Sequence, residues 1–325
     1  MDHALAFWTV AAGRGELRRE TLAAPAAGEL LVRALYSGVS RGSESIVFQG
    51  RVPASEYQRM RAPFQQGEFP APVKYGYSSV GRVVDGDQAL RDALVYCLYP
   101  HQDRYCVPRA SVQTIPDGVP ASRAILAANM ETALNAVWDA GVRPGDRVAV
   151  IGAGSVGMLA GWLVARMPGC ELQLIDRNPA RAAAAAALAL PFASPESARN
   201  DADHVLHASG GESGLRLALQ LAGMEACVTD LSWYGDREVS LPLGQAFHSR
   251  RLTLRSSQVG AVAPAQRARF THARRLALAL SLLREPALDA LIDSECRFLE
   301  LPDVMPRLLA DAGAGAAIMH RVRYE

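Results

Sequence analysis

Between residues 28 and 115 the apolar positions come in short clusters rather than at helical spacing. Runs at 28–36, 77–84, 94–99 and 104–108 are rich in β-formers and are divided by Gly, Pro and Asp. Strands at this spacing predict a compact barrel-like β domain. Near residue 122 the texture changes. Residues 122–140 carry apolar positions at helical spacing, with Ser122 placed as an N-cap. From 146 onward the pattern alternates. Apolar runs at 146–151 and 171–176 read as strands, and 157–166 and 181–190 as helices. Further strands are expected at 203–208, 226–231 and 251–254. Such alternation predicts a parallel, doubly wound sheet. A short helix at 301–310 and a closing strand at 316–324 complete the chain, with no tandem repeat or low-complexity linker.

Composition narrows the class. The chain has 325 residues, half of them apolar and 21% charged, which suits two globular cores and not a disordered chain. Lys and Arg number 34 against 33 acidic residues, so no global field calls for nucleic acid or an anionic membrane. No apolar stretch is long enough to span a bilayer. The N-terminus lacks a basic segment followed by an apolar run, so a cytoplasmic location is expected. The five cysteines, Cys97, Cys106, Cys170, Cys227 and Cys296, form no CxxC pair and read as small buried hydrophobes. Lys74 is the single lysine.

The strongest chemical signal is Gly152-Ala-Gly154-Ser155-Val156-Gly157, which follows an apolar strand and opens a helix. Gly152 allows the turn, Gly154 lets backbone approach a pyrophosphate, and Gly157 lets helix and strand pack closely. The helix N-terminus offers unpaired N–H groups to the phosphates. Asp176 lies 19 residues beyond Gly157, at the end of the second strand. A carboxylate there accepts from the adenosine ribose diol and repels a 2′-phosphate, which favours NAD(H) and leaves NADP(H) open, since the adjoining Arg177 softens the preference. Ser209 and Gly210 end the fourth strand of this fold and Ser232 and Trp233 the fifth, where ligands meet such sheets.

A β domain, a dinucleotide fold in mid-chain and a short return segment resemble the medium-chain dehydrogenase/reductase superfamily over nearly the whole chain. Residues 35–44 resemble its early active-site loop, 76–81 its GHExxG motif, and 142–151 the run into its cofactor fold. The resemblance implies a GroES-like β-barrel catalytic domain at 1–122, a Rossmann dinucleotide-binding domain at 123–285 and a return segment at 286–325. It also implies a homodimer, paired through an edge strand near residues 251–255. At the positions of the family's zinc ligands the chain has Ser40, Tyr77 and Ala128, the Glu of GHE is Ser78, and residues 99–103 replace the four-cysteine lobe. None of the three is a plausible zinc ligand. A zinc-independent member with no bound metal is therefore expected. Within that group the chain is most similar to the branch containing bacteriochlorophyllide-type hydroxyethyl dehydrogenases.

Without a metal, hydrogen-bond donors must stabilise a developing alkoxide and some group must carry its proton. Tyr77, Ser40, His101 and Lys74 are the candidates. Tyr77 would act as electrophile, Ser40 as an oxyanion donor, and His101 as a relay or a loop residue. Lys74 would anchor an anion or end a strand in solvent. Glu44 is expected to pair with Arg41. The reading is an NAD(H)-dependent oxidoreductase that interconverts a small-molecule secondary alcohol and a ketone. An NADPH-dependent enoyl or quinone reductase on the same fold remains open, as does a catalytically inactive dinucleotide-binding protein.

Overall fold

The computed structural model describes residues 2–310 and 317–324. They divide into two compact units, one running to Ala128 and resuming at Leu276, the other spanning Asn129–Arg275.

The first unit is built on two sheets. Arg14–Leu22, Asp2–Ala11, Val73–Lys74 and Gln66–Gly67 form the smaller. The larger has seven strands centred on Glu29–Val39, whose 11 residues pair with Ser79–Asp85, Arg104–Pro108 and Met319–Arg323. The chain's last strand is thus woven antiparallel into the first unit, with His320 opposite Val39. Inward positions alternate along these strands, as a half-buried sheet requires. Leu30, Val32, Val83, Val95, Tyr105 and Val322 meet in one core, sealed by Leu301 and Met305 of the helix Leu301–Leu308.

The second unit is one parallel sheet of six strands. Its spatial order is Phe192–Ala193, Glu171–Ile175, Arg147–Ile151, Ala202–His207, Ala222–Asp230 and Thr253–Ser256. In chain order this is 3-2-1-4-5-6, the doubly wound arrangement expected from the alternating pattern. The middle strands are buried on both faces, which is why they read as unbroken apolar runs.

Several boundaries differ from expectation. The helix expected over 122–140 is two helices, Ala121–Ala124 and Ala127–Ala140, and Pro120 rather than Ser122 occupies the first N-cap. Arg123 pairs with Asp289 at 2.6 Å, and Ser78 Oγ donates to the Ile125 carbonyl at 2.6 Å, so this stretch packs with the first unit. The boundaries placed at 122/123 and 285/286 accordingly lie at 128/129 and 275/276. The expected 251–254 strand is Thr253–Ser256, because Arg250 turns back to donate to the Ala222 carbonyl at 2.7 Å. The closing strand is Met319–Arg323; the start of the expected one, residue 316, lies outside the described residues. Among the described residues no helix is long and apolar enough to cross a membrane.

One buried charge pins the second unit. Arg275 is 1% exposed and donates to Glu131 at 2.9 Å, to Asn135 at 2.6 Å and to the carbonyls of Val259 and Ala261. Deleting one partner of such a pair leaves an uncompensated buried charge. Glu131→Ala should therefore destabilise the chain by about 3–5 kcal/mol in urea unfolding; a loss under about 1 kcal/mol would show that the guanidinium finds water instead.

Candidate functional site

The glycine loop of the second unit is held by backbone contact. Gly152 has φ +104°, and a Cβ there would lie 2.7 Å from the Ser209 amide nitrogen. A Cβ on Gly157 would lie 1.8 Å from the Gly152 carbonyl oxygen, so the helix Ser155–Val164 can start this close to the strand only because Gly157 has none. Gly154 differs: a Cβ there would meet nothing within 4 Å, and the residue is the helix N-cap with no side-chain cap. An uncapped helix N-terminus with free space beside its cap residue is what an anion site needs. Ser155 Oγ accepts from Asn129 Nδ2 at 3.0 Å, and Val156 is half-buried in that turn.

Asp176 ends the second strand beside this loop. Its Oδ2 accepts from the Ala153 amide at 2.7 Å and its Oδ1 from the Asn178 amide at 2.8 Å. It thereby ties the loop to the neighbouring strand, and each oxygen keeps further lone-pair capacity. Arg177 is exposed.

Further along the sheet's carboxyl edge, Ser209 is exposed, while Gly210, Ser232 and Trp233 are half-buried. The Gly210 amide donates to Ser232 Oγ at 3.1 Å. Behind them lies a pair that the sequence did not single out, His207 and Asp230. His207 Nδ1 stands 2.8 Å from Asp230 Oδ1, and its Nε2 stands 2.7 Å from Ser209 Oγ. Burial by itself would raise the Asp230 pKa, but His207, the Ser232 amide and the Tyr234 hydroxyl outweigh it and hold the carboxyl below its usual range. A polar residue closing each of two buried strands was the available signal for this pair.

In the first unit a second buried network surrounds the early loop. The end of that loop, from Arg41 on, opens a helix, Arg41–Phe48, with Ser40 at the N-cap. The Ser40 amide donates to Glu44 Oε1 at 2.7 Å, and Glu44 Oε2 is 2.9 Å from His101 Nε2. His101 Nδ1 is 2.8 Å from Ser37 Oγ, which is 3.0 Å from the Tyr324 hydroxyl. All four side chains are buried, which corrects the alternative of His101 as a surface loop residue. Both Glu44 oxygens are thus engaged, and Arg41 Nε donates to the Leu308 carbonyl at 3.1 Å. Ser37 and Tyr324 were missed because they are 287 residues apart and meet only when the last strand joins the sheet.

Tyr77 is half-buried, and its hydroxyl bonds with Ser40 and Ser43. Burial, with Glu44 nearby, pushes its pKa up to about 12. Tyr77, Ser40 and His101 therefore belong to one neighbourhood, and Lys74 does not. The Lys74 ammonium is fully buried, 2.7 Å from Glu20 and 2.7 Å from Gln102. Burial lowers its pKa against the pull of Glu20. Both expected roles for Lys74, anion anchor and solvated strand end, are corrected to a buried ion pair.

The residues that the resemblance sets at the zinc-ligand positions, Ser40, Tyr77 and Ala128, carry an alcohol, a phenol and a methyl, and Ala128 is buried. Among the described residues no three His, Cys, Asp or Glu side chains are grouped to hold a metal.

No family model matches the chain. Solved structures do. L-idonate 5-dehydrogenase from Escherichia coli K-12 superposes with TM-score 0.79 at 14% identity, over 99% of this chain and 98% of that one. The chain has the fold of alcohol-dehydrogenase-like enzymes. A short chain alcohol dehydrogenase from E. coli CFT073, complexed with NADH, gives TM-score 0.75 at 15% identity, covering 99% of this chain and all of that one. TarJ from S. aureus, in complex with NADPH, gives 0.74 at 13% identity over all of both chains. At such identities the likeness is one of fold.

The Tyr77 shift has a consequence for stability. The phenol ionises near pH 10 when solvated and near 12 in the folded chain. Between those values the unfolded chain has lost a proton that the native chain keeps, so stability falls as pH rises through this window. Tyr77→Phe should make that fall shallower by up to one proton in denaturant titrations; an unchanged slope would show a phenol that ionises freely.

Proposed function

We propose that the chain is a zinc-independent, NAD(H)-dependent oxidoreductase that interconverts a secondary alcohol and a ketone. The observation that carries this reading is the open cradle at Gly154, a helix N-terminus with uncapped amides beside the Asp176 carboxylate. The amides of Ser155 and Val156 would hold the pyrophosphate, and Asp176 the adenosine ribose. Ser209, Gly210, Ser232 and Trp233 would line the remainder of the dinucleotide. A bound nicotinamide supplies the hydride acceptor or donor. The first unit contributes proton handling. Tyr77, protonated throughout the working pH range, donates to the alkoxide or carbonyl oxygen, and Ser40 and Ser43 orient its hydroxyl. His101 is buried with both ring nitrogens engaged, so it acts through Glu44 and Ser40 as a positioning residue.

A homodimer is proposed as well. All four residues of the edge strand Thr253–Ser256 are exposed, Leu254 among them, and such an edge favours pairing with a second copy. Light scattering at micromolar concentration should give twice the chain mass.

Gly154→Ala separates cofactor binding from folding. The methyl meets nothing in the free chain, so thermal unfolding should be unchanged, while NADH affinity falls roughly tenfold or more in fluorescence titration. Asp176→Ala should narrow an NADH-over-NADPH preference of roughly 10–100-fold. Full NADH affinity in Gly154→Ala, or tighter NADPH than NADH binding in the wild type, counts against the reading.

Catalysis should survive chelation. With chemistry shown to be rate-limiting by a deuteride isotope effect, Tyr77→Phe should lower kcat about 100–1,000-fold, the usual loss for one oxyanion donor. Retention of more than about a third of kcat would remove Tyr77 from the reaction.

A further inference from the structure

Ser209, His207 and Asp230 are arranged in a way that binding a dinucleotide does not require. A hydroxyl that only accepts or donates to a ribose needs no base behind it. Here a fully buried imidazole bridges the hydroxyl and a carboxylate, at 2.7 Å on one side and 2.8 Å on the other. The carboxylate is itself fixed, accepting from the Ser232 amide at 2.9 Å and from the Tyr234 hydroxyl at 2.9 Å. An ionised Asp230 can only accept, so the Nδ1 that faces it carries a proton, and in the neutral imidazole Nε2 is then the acceptor toward Ser209. That is the tautomer a general base needs.

The surroundings complete the arrangement. Ser209 is exposed as a residue, while the imidazole its Oγ meets is fully buried. Gly210, the next residue, has φ +67°, which turns the chain sharply after the serine. The Gly211 amide, N-cap of the ten-residue helix Glu212–Leu221, points at Ser209 Oγ from 3.4 Å, and no side chain caps that helix. The helix's first turn packs against the hydroxyl–imidazole bond itself. A Cβ on Gly214 would lie 2.2 Å from Ser209 Oγ and 2.8 Å from His207 Nε2. Nucleophile, base and orienting carboxylate are thus all present at the carboxyl edge of one sheet.

We propose that Ser209, His207 and Asp230 form a nucleophilic triad that cleaves small activated carboxylic esters through an acyl-Ser209. In the first half-reaction Ser209 Oγ bonds to the ester carbonyl carbon, and its proton passes to His207 Nε2. The carbon–alkoxide bond breaks, and the same proton leaves with the alcohol. In the second, water adds to the acyl carbon and gives a proton to Nε2. The acyl–Oγ bond then breaks and that proton returns to Ser209. The sum is ester plus water giving acid plus alcohol. Throughout, Asp230 stabilises the imidazolium without taking the proton. The triad lies among residues proposed to line the dinucleotide, so the ester is a ligand of the cofactor-free chain.

The test uses the purified full-length chain with no dinucleotide added. p-Nitrophenyl acetate hydrolysis and labelling by a fluorophosphonate, which bonds phosphorus to the serine and expels fluoride, are both expected in the wild type. Digestion and mass spectrometry should place the adduct on Ser209. This arm needs no variant to fold, and an adduct elsewhere, or none, overturns the proposal. Ser209→Ala should reduce both signals to the uncatalysed level. His207→Asn should lower hydrolysis roughly 100–10,000-fold, the usual contribution of a general base. Hydrolysis in Ser209→Ala at more than a tenth of the wild-type rate equally overturns it.

Discussion

The contact between Gly157 and the Gly152 carbonyl is the constraint from which the second unit's site follows. With a gap that admits no side-chain carbon, the helix Ser155–Val164 begins directly above the end of the central strand. That position decides where its free amides point, and it brings Ala153 within reach of Asp176 on the neighbouring strand. The loop is then held by packing at Gly152 and by a carboxylate clamp at Ala153, so its surface is preformed and little ordering would remain to be done on binding a ligand. The same closeness places Ser209 against Gly152, joining the fourth strand's end to the loop.

Networks of buried polar groups organise the rest, most of them joined by partners distant in sequence. Glu44, His101, Ser37 and Tyr324 form one chain in the first unit; His207, Asp230, Ser209 and Tyr234 form another in the second. Lys74 with Glu20 and Arg275 with Glu131 are two further pairs. Burying such groups costs several kcal/mol apiece unless their geometry is good. The arrangement therefore gives rigidity rather than net stability: any slip that breaks one bond leaves an unsatisfied group in an apolar surrounding. Rigidity holds Tyr77 within the first unit, and Ser209 within the second, in fixed orientations.

Much of the fold was legible in order along the chain. Parallel strands buried on both faces read as continuous apolar runs, and the glycine loop with Asp176 stood in the one context where its spacing has meaning. Element ends were less legible. The break between Ala121–Ala124 and Ala127–Ala140 interrupts no helical periodicity, because both faces of that stretch find apolar cover. Residues 41–44, placed in a loop by resemblance, open the helix Arg41–Phe48; its Gly and Ser residues are poor helix formers, and packing of Ile46, Val47 and Phe48 overrides them.

The sequence by itself determined the strand and helix alternation, the glycine turn and the absence of ligand-type residues at the three expected metal positions, because each is a matter of local spacing or residue chemistry. Tertiary structure alone decided which polar side chains meet. His101 passed from loop residue to the centre of a buried chain because Ser37, Glu44 and Tyr324 converge on it from three segments. Lys74 was withdrawn from the site by Glu20, 54 residues away. His207 and Asp230, 23 residues apart and each unremarked in its own strand, became a pair because parallel strands bring their carboxyl ends to one edge. A hydrogen bond needs two groups within about 3 Å, and no local pattern carries the distance between residues the fold has yet to bring together.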